Sequence, residues 1–545
     1  MPSFFKHQKK KTTSEDHKES SQDQPNNRLL GFIDDSISIN LDMIKQKTGN
    51  SSDVVIRTLN ISPHSEIKTA VVYVEGIVDT ISINDFLIES IMKNHALQEK
   101  LTQENALKII SNNMAALGSI KLVSNWEQLL LSLMAGETLI LVDGTNEALS
   151  VGTQGGETRS IEEPSTQLAV RGSRSGFTES IRTNTALVRR IIKNPDLWLE
   201  SMKIGKVTQT DVAIMYINGI VNEKIVEEVR QRLKKINIDG ILESGYIEQL
   251  IEDQTMTTFP TLYHTERPDM VAGNLLEGRI AIFVDGTPFV LIAPTIFIQF
   301  FQAAEDYYAR FDIATALRLL RVIIFFISII GPSAYIAATT FHQEMLPTQL
   351  LVAIAAQREA VPFPAFVEAM IMEVTFEILR EAGVRMPRAI GSAVSIVGAL
   401  VIGQAAVQAG IVSPAMVIVV AITAIASFAT PSFAIAISAR LIRFLFMITA
   451  ATFGFYGIIL AFIMVIVHLC DLRSFGVTYM SPFAPFIPKS AGDTVVRLPW
   501  WALKQRPPFI GNENNIRQGK DQRPQPPASR GMVNSHTRKS DQNES

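Results

Sequence analysis

The chain has 545 residues, a formal net charge of −3, 47% hydrophobic and 19% charged residues. So nearly balanced a charge argues against a nucleic-acid binder working through a basic face. A lone cysteine, Cys470, excludes both an intramolecular disulfide and a cysteine-based zinc site. At roughly 150 residues per domain the length predicts three or four units.

The first 28 residues are polar and poor in bulky apolar side chains, so 1–28 reads as a disordered tail rather than a signal peptide. An internal duplication follows. TAVVYVEGIVD (69–79) aligns with VAIMYINGIVN (212–222), with identities at Ala70/Ala213, Tyr73/Tyr216, Gly76/Gly219, Ile77/Ile220 and Val78/Val221. LILVDGT (139–145) aligns with AIFVDGT (281–287) at almost the same offset. Each copy reads as a buried strand, a helical stretch (INDFLIESIMK or EKIVEEVRQRLKKI), and an apolar run ending in Asp143-Gly144 or Asp285-Gly286. Asp-Gly between apolar strands signals a hairpin, because the turn needs positive φ. Two cytoplasmic α/β subdomains are therefore expected, over 29–165 and 166–302, with a connecting helix at 303–319.

VDGT reads as a plain turn, since neither copy carries the glycine-rich loop and lysine of a phosphate cradle. His64, His264 and His342 lack paired-ligand spacing. No catalytic, cofactor or metal signature is present, and the chain is not expected to be an enzyme.

From Ala389 to Ala439 there are 51 residues without Asp, Glu, Lys, Arg or His. As one helix this run would be about 77 Å long, over twice a bilayer core of about 30 Å, so it must fold back. Further uncharged runs cover Val322–Phe341 and Phe444–Val467. The expectation is a polytopic helical membrane domain over 320–470. Arg318 and Arg321 flank its first span and place the preceding half in the cytoplasm. Spans follow at 362–383, 389–410, 415–437 and 444–468, with Arg440 and Arg443 marking a cytoplasmic edge. Five spans would put the C-terminus outside, yet 471–545 holds eleven Lys/Arg against six Asp/Glu. Either one segment is re-entrant or the tail disregards the charge rule. A C-terminal segment covers 471–506. From 507 to 545 the Pro, Gln, Asn, Arg and Ser content reads as disorder. The fold class is thus α+β: a duplicated α/β cytoplasmic domain followed by a polytopic α-helical membrane domain.

Two membrane segments carry candidate functional residues. In 391–410, Gly391, Ser392, Ser395, Gly398, Ala399, Ala406 and Gly410 make a small-residue helix-packing face. Opposite lie Val397, Leu400, Val401, Gln404 and Gln408. That face suits either a tight bundle with bonded glutamines or, in an oligomer, polar rings and a dewetting constriction. In 362–383, Glu373, Glu377 and Glu381 recur every four residues and so share one side of a helix. They suit an interfacial amphipathic helix or a cation-attracting vestibule, with Arg380 placed to pair with Glu377.

These segments, with EPSTQLAVRGSRSGFTESIRTNTALVRRII (163–192), VDGTPFVLIAPT (284–295), 362–428 and LRSFGVTYMSPFAP (472–485), resemble the A subunit of GerA-type bacterial spore-germination receptors. The resemblance covers most of 29–500 and departs from the family's usual residues at Ser173 and Ser175. It implies a spore inner-membrane protein acting with a transporter-like B subunit and a lipoprotein C subunit, nutrient binding falling to the B subunit. It also implies a homo-oligomer, such as a pentamer, that conducts cations when nutrient binds. A non-conducting scaffold or signal relay, or a secondary transporter subunit, are the alternatives.

Overall fold

A computed structural model describes residues 31–60, 67–84, 106–113, 119–156, 163–164, 167, 169–385, 403–488, 492–510 and 514–525. The expected tail over 1–28, the helix INDFLIESIMK beyond residue 84, and 526–545 lie outside the described residues.

The duplication is a duplication of fold. The first repeat contains α1 (Ile37–Lys47), β1 (Val54–Asn60), β2 (Lys68–Val74), α2 (Ala106–Asn113), β3 (Ile120–Val123), α3 (Trp126–Met134), β4 (Thr138–Val142) and β5 (Ala148–Val151). The second contains α4 (Ile181–Ile191), β6 (Leu197–Ile204), β7 (Thr210–Ile217), α5 (Glu223–Lys235), α6 (Ser244–Ile251), β8 (Tyr263–Thr265), α7 (Pro268–Leu276), β9 (Ile280–Val284) and β10 (Val290–Ala293). The two sheets have matching orders, β1-β2-β4-β5-β3 and β6-β7-β9-β10-β8. Every pairing is antiparallel.

Both Asp-Gly pairs sit between hairpin partners, β4–β5 and β9–β10. Gly144 and Gly286 adopt φ of 81° and 89°, which only glycine takes without strain. The aspartates also receive a backbone bond from the repeat's first helix: Ile37 N donates to Asp143 Oδ1 and Ile181 N to Asp285 Oδ1, each at 3.0 Å. One residue pair thus makes the turn and caps the helix, meeting donors that a helix N-terminus leaves open.

The central strands read as near-continuous apolar runs because both faces are covered. Along β7, Ala213, Met215 and Ile217 enter one core, while Val212, Ile214 and Tyr216 enter another. The first of these cores is continuous with the helical bundle: Phe283, Phe300, Phe325 and Phe446 belong to one buried cluster. The first repeat has its own core. It is tied to the second by Arg189, whose Nε and Nη2 bond Asp53 at 2.6 and 2.8 Å.

After a short helix α8 (Glu305–Tyr308) the bundle begins with α9 (Phe311–Thr340). The stretch 303–319 is therefore not one connecting helix, since α9 runs unbroken from Phe311. Next come α10 (Thr348–Arg358), α11 (Ala365–Arg385), the short α12 (Gly403–Gln408), α13 (Pro414–Phe428) and α14 (Phe433–Asp471). Among the described residues, α9 and α14 are long and apolar enough to cross a bilayer. Only 28% of each apolar stretch is buried within the chain, whereas the core helix of a soluble domain is mostly buried.

Contacts fix the direction of each helix. The start of α9 is pinned to Asp306, and its end meets the middle of α14, where His342 stacks near Phe455. Glu368 of α11 and Ser413 before α13 meet at the far end, while Arg380 and Ser427 meet nearer the sheets. Both α11 and α13 therefore run back toward the sheets. α14 reverses within itself. Ser438 donates to Thr258 O, and His468 Nε2 lies 2.9 Å from Thr257 Oγ1. In a straight helix those two residues would stand about 45 Å apart. The turn is at Gly454, with φ 60° and ψ −140°, which divides the helix into an outgoing and a returning limb.

This corrects the expected layout. There is no break at Arg440 and Arg443; both lie inside the outgoing limb. The final apolar run is not one pass from 444 to 468, because it contains the reversal. The segment after α14 returns to the second sheet: Ser474 Oγ bonds Thr261 O, and Tyr479 Oη bonds Pro260 O. Packing also extends beyond residue 507, since Arg517 N donates to Lys504 O at 2.9 Å.

Candidate functional site

The bundle is held by charges buried among apolar helices. Proline at 332 has no N–H to offer the carbonyl four residues back, at Ser328. Arg443 Nε supplies the missing donor, 2.6 Å from Ser328 O. Its Nη1 bonds Glu373 Oε2 at 2.5 Å, and both side chains are 2% exposed. One guanidinium thereby joins α9, α11 and α14.

Three further pairs lie along α11. Glu368 accepts from Ser413 N and Oγ at 2.9 and 2.8 Å, with Arg358 Nε 3.4 Å away. This carboxylate orders the start of α13, where Ser413 is the cap and Pro414 takes the first helical position. Glu377 is shared by Arg380 of its own helix, 3.1 Å away, and Arg440 of α14, 2.9 Å away. Glu381 pairs with Arg385 in the same helix and remains exposed.

The four-residue spacing therefore does put Glu373 and Glu377 on one side, and that side faces Arg443 and Arg440. Of the three carboxylates, Glu373 is enclosed, Glu377 half-buried and Glu381 open. Arg380 does pair with Glu377. The reading of the sequence missed Arg440 and Arg443 as partners. The available signal was two arginines three residues apart in an apolar run, matched to glutamates four apart elsewhere.

Near the sheets, Arg318 and Arg321 are likewise internal. Asp306 bonds both, Arg318 Nε at 3.0 Å and Arg321 Nη1 at 2.7 Å, and Asp493 takes Arg318 Nη1 at 2.8 Å. Their charge is spent joining α9 to the preceding loop and the C-terminal segment.

Gly391, Ser392, Ser395, Val397, Gly398, Ala399, Leu400 and Val401 lie outside the described residues. Of the remaining candidates, Gln404 and Gln408 are exposed and make no hydrogen bond among the described residues. They point away from the chain's own bundle. Ala406 packs partly buried against the main core. Gly410 has φ 65°, and a Cβ there would stand 3.0 Å from Ala360 O, so this position requires glycine. No cluster of potential metal ligands occurs among the described residues.

The family model described as Bacillus/Clostridium GerA spore germination protein matches residues 42–509. Spore germination protein KA of Bacillus subtilis (strain 168) is 62% identical over 512 residues, covering 94% of this chain and 93% of that protein. The uncharacterized membrane protein YfkQ of the same organism is 44% identical, covering 93% of this chain and 96% of that one. Among solved structures, the N-terminal domain of the A subunit of the Bacillus megaterium spore germinant receptor GerK3 is 56% identical. It covers 50% of this chain and 99% of that one, with a TM-score of 0.41. The relatives are named for germination and for membrane residence rather than for a reaction. The chain belongs to the GerA family of spore germination proteins, the A subunits of germinant receptors.

Proposed function

We propose that this A subunit forms an oligomeric, nutrient-gated cation channel in the spore inner membrane, with the sheet domains on the cytoplasmic side. The observation that carries the reading is the near full-length, 62% identity to a spore germination protein. Helix directions support the topology. α11 ends toward the sheets at Arg385, and α12 begins at Gly403, where an added Cβ would stand 3.7 Å from Val417 Cγ1 in the first turn of α13. If the uncharged stretch 389–410 makes the expected span, it joins α9, α11, α13 and the two limbs of α14 to give six crossings. An even number would put both ends of the chain on one side, in keeping with the basic tail.

The conducting path is assigned to 389–410. Gln404 and Gln408 face outward from a single bundle, where copies around an axis would turn them into polar rings. Val397, Leu400 and Val401 would form a dry constriction, and the small face of Gly391, Ser392, Ser395, Gly398 and Ala399 would pack against the bundle. Glu381, exposed beside its partner Arg385, would lie at the cytoplasmic mouth. A transporter-like B subunit would bind nutrient and a lipoprotein C subunit would complete the receptor. Nutrient opens the gate only through stronger binding to the open state.

The test is reconstitution in liposomes. A channel gives ohmic current that depends on oligomer formation; a transporter gives saturable flux; a scaffold gives neither. Val401→Asn should wet the constriction and leak without nutrient. A Val401→Asn chain that assembles yet stays as quiet as wild type removes Val401 from the gate.

A further inference from the structure

A cavity of about 310 Å³ lies where the second sheet domain, the loop before α9 and the C-terminal segment meet. It is large enough for a small metabolite. Its polar wall comprises Glu277, Arg279, Asp493, Lys504, Arg506 and Arg517. Charges on this wall do not balance. Asp493 is already shared with Arg318 at 2.8 Å and accepts from Tyr307 Oη at 3.2 Å. Glu277 alone stands opposite the four cations, 3.6 Å from Arg279 and 3.8 Å from Arg517.

The arginines are not spare surface charges. Arg279 has a side chain 3% exposed, and its Nε lacks a hydrogen-bond partner. Arg506 is fixed by main-chain carbonyls alone: Nε donates to Leu276 O at 2.8 Å and Nη1 to Asn514 O at 3.1 Å. Burial, then the neighbouring Arg517, push the Arg506 pKa below its usual value. Arg517 rests over the Trp500 ring, 5.2 Å from its centre.

The geometry points to a binding site for a small organic anion, bearing a carboxylate or phosphate group, held between Arg279, Arg506 and Arg517. Guanidinium forks match both oxyanion types, and a pocket with excess cation favours a ligand that supplies the missing charge. Bound there, the anion would join the C-terminal segment to the second sheet domain, beside the Asp493–Arg318 link to α9. The inference does not depend on ion conduction.

Trp500 makes the site readable. The full-length protein in detergent is titrated with sodium phosphate and, separately, with sodium citrate, each against sodium chloride at equal ionic strength, following tryptophan emission. A saturable change with phosphate assigns a phosphate ligand; one with citrate assigns a carboxylate. Arg506→Gln and Arg517→Gln should each weaken the apparent affinity about tenfold or more. Arg523→Gln, which alters a cation resting on Trp501 outside the cavity wall, should leave it unchanged. Lys504 is exposed, so Lys504→Gln keeps the test alive if the arginine variants fail to fold, with a smaller loss expected. Responses that equal the chloride control, or that survive every wall substitution, overturn the assignment.

Discussion

Arg443 completes a hydrogen bond that Pro332 removes: its Nε lies 2.6 Å from the Ser328 carbonyl, the acceptor a residue without N–H cannot reach. A proline inside α9 and an arginine in the outgoing limb of α14 are thus one device. The remaining charge is met by Glu373 of α11. A buried cation is costly unless it is paired, and by bonding Ser328 O and Glu373 together this side chain holds three helices in register.

Removing one partner should therefore be costly. Arg443→Met and Glu373→Gln are each expected to lower stability by about 3–5 kcal/mol, the usual range for breaking a buried pair. Adding Pro332→Ala to Arg443→Met restores a donor for Ser328 and should recover part of the loss, while doing little by itself. Thermal unfolding of the four proteins in detergent reads the cycle. Strict additivity would show that Pro332 and Arg443 do not act on the same carbonyl.

Arg189 plays a comparable part between the two sheet domains. It bonds Asp53 twice and Leu197 O at 2.8 Å, with a side chain 1% exposed. Arg189→Met should release the first repeat from the second, speeding amide exchange at Ser52, whose N donates to Leu199 O of β6 at 3.0 Å, and in β6 by tenfold or more, given about 3–5 kcal/mol for a broken buried pair. Unchanged exchange at both places would remove this pair from the interface.

Much of the sheet half was legible in the sequence. Asp143-Gly144 and Asp285-Gly286 announced their turns because positive φ restricts the residue choice. The repeat announced itself because buried strands tolerate little substitution. Strand order was not legible, since which apolar runs pair depends on segments far apart in the chain. The reversal at Gly454 also stayed hidden. It lies in an apolar run with no polar punctuation, and a Cβ there would meet His342 Cε1 at 2.6 Å, a contact only the fold reveals. Arg440 and Arg443 misled because a charge rule for exposed loops was applied to residues paired with Glu377 and Glu373, 63 and 70 residues away. The anion cavity had no sequence signature, being assembled from three remote segments.

Topology has a native reporter. Cys470 is exposed at the end of the returning limb of α14, beside Asp471, which accepts a bond from Gln254 of the second sheet domain. A membrane-impermeant thiol reagent should label it only from the side bearing the sheet domains. Labelling from the opposite side would remove the reversal at Gly454.

The sheet domain should carry a pH signature at Glu248. Burial, then Glu252 and Glu243, push its pKa up to about 7 from 4.5. A carboxyl with a raised folded-state pKa contributes stability that is full below about 4.5 and is lost as pH rises through about 7. The protein should therefore melt lower at pH 8 than at pH 5.5 on this account, and Glu248→Gln should narrow that difference. A Glu248→Gln protein with an unaltered pH profile would remove this residue as the cause.

Conductance of the purified full-length chain in liposomes, recorded together with its oligomeric state, bears most directly on the proposed function. The account predicts ohmic monovalent-cation current from the oligomer, raised by Val401→Asn. Protein embedded in the bilayer but monomeric and electrically silent, with Val401→Asn equally silent, would contradict it.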